Sequence, residues 1–202
     1  MSRLSGIGPG PFTVATFHEW LESRSEEEHW ELIEGIAVMN AAPLVGHQRI
    51  ASNFEFHLRD ALAKRKPEWM ADREIGIELS DDSPFRPEPE IAVVDAEIDT
   101  TRRGLDRFYL VVEVRSVSDR PRVFQPKLDF YRDHPHNRWI VIVEQARIEA
   151  TIHERQADGT WAERVVNRPT DVLSFGEIGE VCALGDLYKN TNLDPARRRD
   201  RG

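Results

Sequence analysis

Glu113 lies in the middle of FYLVVEVRS (108–116), a run of Phe, Tyr, Leu and Val that reads as a buried strand. A lone ionised carboxylate in such a place costs several kcal/mol unless something compensates it. PEPEIAVV (87–94) repeats the pattern, with Glu90 at the entry to an apolar strand and Pro89 tolerated just before it. Lys127 follows downstream on a predicted helix. If the two strands pair, their carboxylates lie about 5 Å apart and repel by about 3 kcal/mol at an effective dielectric near 20. Only a cation, a shared proton or a basic partner makes that tolerable. A hard divalent ion such as Mg²⁺, held by two carboxylates and completed by water, is one solution; it would stabilise charge on a phosphoryl oxygen, and a nearby lysine would orient water or neutralise developing charge. An inert ion pair between Glu113 and Arg115, Arg86 or Lys127 is the other solution, and spacing alone leaves both open.

Glu113 and Arg115 are two apart and share one face of their strand, with Val112 and Val114 on the other. Arg120, Arg122 and Lys127 form the best local basic patch, suited to phosphate contacts or simply to a solvated loop. His47 opens a long predicted helix and is read either as a phosphate contact or as a capping residue. His134 and His136 lack the further ligands a zinc site needs. Ser116 and Ser118 stand in no nucleophile-elbow context.

The chain has 202 residues, 40% of them hydrophobic, which suffices for one domain with a core. Its formal charge of −9 argues against a protein that coats nucleic acid through a global basic field, and less against a nuclease whose acidic site holds cations. Cys182 is the single cysteine, so no intrachain disulfide forms. The N-terminus lacks an apolar signal core and no membrane-length apolar run occurs, so a cytoplasmic protein with no membrane partner is expected.

The elements that must position these residues follow from periodicity. Residues 1–12 read as a flexible arm, 13–190 as a single domain and 191–202 as a basic, disordered tail. A helix capped by Thr13 precedes a hairpin turning near Gly35. Ile50, Phe54, Leu58 and Leu62 mark a helix from Val45 to Lys66, stopped by Pro67. Residues 70–80, 89–95, 108–115 and 138–143 read as strands, with a short helix over 126–132 carrying Lys127. Two more strands meet at Asp158-Gly159, a C-terminal antiparallel extension. The sum is an α/β (α+β) fold: a mixed, partly parallel sheet with a long helix on one face and a shorter helix near the site.

Five segments in order, RPEPEIAVV and LVVEVRSVS together with FTVATFHEWLE, HWELIEGIAVMNAAPLVGHQRI and KLDFYRDHPHNRWIVIV, resemble the Uma-two family of restriction endonucleases within the PD-(D/E)XK superfamily. The resemblance spans about residues 13–155 and implies a restriction-endonuclease-like fold and Mg²⁺-dependent hydrolysis of DNA, with Mn²⁺ as an alternative ion. It gives Glu90 the place of a metal-binding Asp, Glu113 that of the second acidic ligand, Lys127 that of the helix-borne lysine, and Glu31 that of an early acid completing the site. Glu90 departs from the family's Asp, and Arg115 replaces an apolar residue. A homodimer would suit double-strand cutting. A catalytically silent module binding nucleic acid or protein, and an enzyme acting on another phosphodiester, are the rival readings.

Overall fold

The computed structural model describes residues 10–25, 27–116 and 121–199. Thr13 caps α1 (Val14–Leu21), its backbone N–H and side chain both engaging the Thr16 hydroxyl. The hairpin β1 (His29–Ile33) and β2 (Ile36–Asn40) turns on Glu34 and Gly35, both at positive φ, and buries Leu32 and Ala37 against Val14 and Phe17. α2 (Val45–Arg65) then buries Ile50, Phe54, Leu58 and Leu62, the expected stripe.

The main sheet has six strands in the order β10-β9-β8-β7-β5-β3. Its members are β3 (Trp69–Asp72), β5 (Ile91–Asp95), β7 (Leu110–Arg115), β8 (Trp139–Glu144), β9 (Ala150–Arg155) and β10 (Trp161–Val166). β4 (Gly76–Ile77) and β6 (Gly104–Leu105) pair separately. The strand expected over 70–80 is therefore two strands, because Glu74 at φ 54° turns the chain between them.

Only β7 and β8 run parallel in this sheet, and parallel neighbours need a crossover. α3 (Pro121–Asp133) supplies it. It begins five residues earlier than the 126–132 span read from the sequence. Pro121 suits a first helical position, and Pro126 forfeits one backbone hydrogen bond near the exposed start of the helix. Leu128 and Tyr131 are buried, which keeps the helix seated past the proline.

The two faces of the sheet divide the core. Ile91, Val93, Leu110, Val112 and Val114 pack with α2. Ala92, Val94, Val111, Ile140 and Ile142 pack with Leu128 and Tyr131 of α3. By strand alternation Glu113 shares the α3 face with Val111, and Glu90 shares it with Ala92.

The C-terminal part adds β11 (Val172–Phe175), β12 (Gly179–Ala183) and α4 (Leu184–Leu187), which cover α2 with Phe175, Leu184 and Leu187. Part of the expected tail is ordered: α5 (Pro195–Arg199) forms because Asp194, itself buried, accepts from the N–H groups of Asn190 and Ala196. Most of the expected N-terminal arm, residues 1–9, lies outside the described residues.

Candidate functional site

Ile91 pairs with Val112, so the next antiparallel positions are Glu90 and Glu113. The crossover helix lays Lys127 over them. Lys127 Nζ stands 2.9 Å from Glu113 Oε1 and 2.8 Å from Glu31 Oε1, with all three side chains buried. Tyr131, one turn further along α3, donates its hydroxyl to the same Glu113 Oε1 at 2.8 Å.

Glu31, from β1, is fully engaged. Its Oε1 also accepts from the Glu88 N–H at 2.7 Å, and its Oε2 accepts from Asn40 Nδ2 at 2.9 Å. Glu90 gives Oε1 to His47 Nε2 at 2.6 Å. Its Oε2 is buried and has no hydrogen-bond partner among the described residues. Glu31, His47, Glu88, Glu90, Glu113 and Lys127 all line one cleft.

Burial raises the Glu113 carboxyl from 4.5 to about 7, because desolvation outweighs what Lys127 and Tyr131 return and Glu31 adds repulsion. Burial alone would lower Lys127, but the charges of Glu113 and Glu31 hold it above its ordinary range, fully protonated. Burial first, then Glu113 and Glu31, push the Tyr131 phenol up, so it stays a donor. Burial also raises Glu88, against the opposing pull of Arg86.

The remaining sequence candidates fare differently. Arg115 pairs with Glu144, its partner across β7 and β8, rather than with Glu113, and is not among the residues lining the cleft. Arg122 is exposed on the first turn of α3. Arg120 lies outside the described residues. His47 contacts Glu90 directly, so its position reads as support for that carboxylate rather than as a helix cap.

Three contributors escaped the sequence reading. Tyr131 carried a usable signal, four residues after Lys127 on one helix face. Asn40 carried a weak one, since it lies diagonally across the same hairpin from Glu31, at the position paired with His29; Glu88 carried none, since it reaches Glu31 only through the packing of the hairpin against the 86–90 segment.

Among the described residues no three His, Cys, Asp or Glu side chains form a ready-made metal cage. The donor set still suits a hard cation held by few protein oxygens. Among the described residues, the polar contacts of Glu113 fall on Oε1, and Glu90 keeps a buried Oε2 without a hydrogen-bond partner. Mg²⁺ keeps several waters and takes one or two carboxylates. Glu31, by contrast, has both oxygens spent on protein donors.

Residues 14–180 match the Uma2 family, described as "Putative restriction endonuclease", and the chain belongs to that family. No curated protein matches it. A crystal structure of a putative nuclease belonging to DUF820 from Anabaena variabilis is similar in fold, with a TM-score of 0.69 at 16% identity, covering 88% of this chain and 98% of that one. No helix among the described residues is long and apolar enough to cross a membrane.

Proposed function

We propose that this protein hydrolyses phosphodiester bonds of DNA with the help of a divalent cation, Mg²⁺ or Mn²⁺. The observation that carries the reading is two carboxylates lining one cleft, Glu90 just before β5 and Glu113 in β7, beside a buried and fully protonated Lys127. Glu90 and Glu113 would hold the ion. When bound, such an ion supplies Lewis-acid stabilisation of charge on a phosphoryl oxygen.

The chain's own residues do the rest. Lys127 has three N–H donors, and Glu31 and Glu113 take two of them. The third is left to orient a water or to meet charge developing on the phosphate. Glu31 serves as the anchor that fixes Lys127, a role its saturated hydrogen bonding favours over metal ligation. Tyr131 fixes Glu113, and His47 fixes Glu90. On a duplex, two cuts would need two such sites, which a homodimer supplies.

Titration calorimetry with Mg²⁺ and Mn²⁺ tests the reading. The wild type is expected to bind, and Glu113→Gln to lose binding together with cleavage of DNA. A protein that binds neither ion, or a Glu113→Gln variant that binds as before, would leave the silent-module reading in its place.

A further inference from the structure

Resting on that reading, we infer that the preferred substrate is a single strand or unpaired end, with one base packed against an apolar wall of the cleft, rather than an intact duplex. The wall comes from two elements. Met39 of β2 and Ala42 and Leu44 of the loop before α2 supply one part, and Val123 and Phe124 of α3 supply the other. Leu44 is 68% exposed and the adjoining Val45 is 71% exposed, a cost in water that a packed base would offset. Phe124 is half-buried and has no ring partner among the described residues, whereas Phe130 on the same helix stacks on Phe85 at 5.1 Å between centroids.

Charge points the same way. Among the described residues lining the cleft, Lys127 alone is a lysine or arginine, and it is already engaged by Glu31 and Glu113. Glu74, Glu88 and Glu90 line the same cleft, and the whole chain carries −9. A duplex hides its base faces and offers two charged backbones, the surface this cleft is least equipped to bind. A single strand offers base faces to an aromatic and aliphatic wall and a lower charge density.

The test uses the full-length protein in Mg²⁺, a fluorescein-labelled single-stranded DNA, and the same strand annealed to its complement. Fluorescence anisotropy measures binding and gel analysis measures cleavage. Single strand is expected to bind at least about tenfold tighter than duplex, with a shallow salt dependence because Lys127 is the one lysine or arginine among the described residues lining the cleft. Leu44→Ser changes a solvent-exposed side chain and should lose about tenfold of single-strand binding while folding normally by circular dichroism; Phe124→Ala should lose at least as much. Equal or tighter duplex binding, or unchanged single-strand binding in both variants, would overturn the inference. Cleavage separates the two claims: a duplex cut faster than the single strand sinks this inference and leaves the nuclease reading standing. Wall-dependent single-strand binding with no cleavage in Mg²⁺ or Mn²⁺ sinks the nuclease reading alone.

Discussion

Lys127 and Arg86 are both buried cations held between two glutamates. Lys127 joins Glu31 to Glu113, and Arg86 joins Glu78 at 2.6 Å to Glu88. The two clusters touch, because the Glu88 N–H donates to Glu31. They differ in where spare capacity lies: Lys127 lines the cleft and Arg86 does not. Arg86 spends Nε on Glu78, Nη1 on Glu88 and Nη2 on the Arg103 carbonyl, and it packs so closely on Gly76 that a Cβ there would meet the guanidinium at 2.5 Å. Lys127 keeps a donor, and its partner Glu113 lines the cleft beside the unpartnered oxygen of Glu90. A buried ion pair is therefore no mark of a site by itself. The mark is capacity left unspent where a substrate can reach it.

Removing each cation should separate the clusters most sharply. Lys127→Met is expected to cost about 3–5 kcal/mol of folding stability, since it strands two buried carboxylates, and Arg86→Met somewhat less, since Glu78 and Glu88 are only half-buried and Glu78 keeps His18. Urea titration reads that cost. At a temperature where both variants remain folded, Lys127→Met should lose about three orders of magnitude in DNA cleavage and Arg86→Met less than about tenfold. Equal losses in activity would erase the distinction.

The pH dependence gives the next largest effect. The folded value of Glu113 is about 7 against an ordinary 4.5, so the folded state holds this proton more tightly than the unfolded one. Its contribution to stability is then complete below pH 4.5, falls as pH rises through 7, and amounts to about 3 kcal/mol at most. Comparing metal-free denaturation at about pH 5 and about pH 8, Glu113→Gln should show less of this fall than wild type. Metal affinity should run the opposite way, weakening as pH falls and the carboxylate gains its proton, which calorimetry across the same pH range checks.

Tyr131→Phe is a finer probe. It deletes one hydrogen bond to Glu113 and should cost about 1.5–2 kcal/mol of stability. Calorimetry should show metal affinity weakened several-fold with Lys127 still in place. Arg115→Ala should do least. Glu144 retains Arg147 at 3.5 Å, so denaturation should shift by less than about 1 kcal/mol and cleavage should stay at the wild-type rate. A marked loss of DNA binding there would return Arg115 to the site.

Much of the fold was legible because burial imposes periodicity. The Ile50, Phe54, Leu58 and Leu62 stripe, the hairpin at Gly35 and the turn at Gly159 stand where spacing and turn chemistry put them. The failures have physical causes of their own. Alternation continues through 70–80, but one residue at positive φ breaks the strand. Pro126 ends helices in isolation, yet burial of the face carrying Leu128 and Tyr131 keeps α3 intact through it. The basic tail reads as disordered because its anchor, Asp194, holds it through backbone N–H groups that composition does not show.

By itself the sequence determined that two acids enter apolar strands and that a lysine follows on a helix. It also determined that Glu113 turns away from Val112 and Val114. It did not decide which cation answers Glu113, since Arg115, Arg86 and Lys127 were equal candidates. Side-chain alternation assigns a residue to a face of the sheet and says nothing of what covers that face. Strand order and the single parallel crossing decided that: they placed α3 over Glu113, left Arg115 to Glu144 at the next register pair, and sent Arg86 to Glu78 and Glu88.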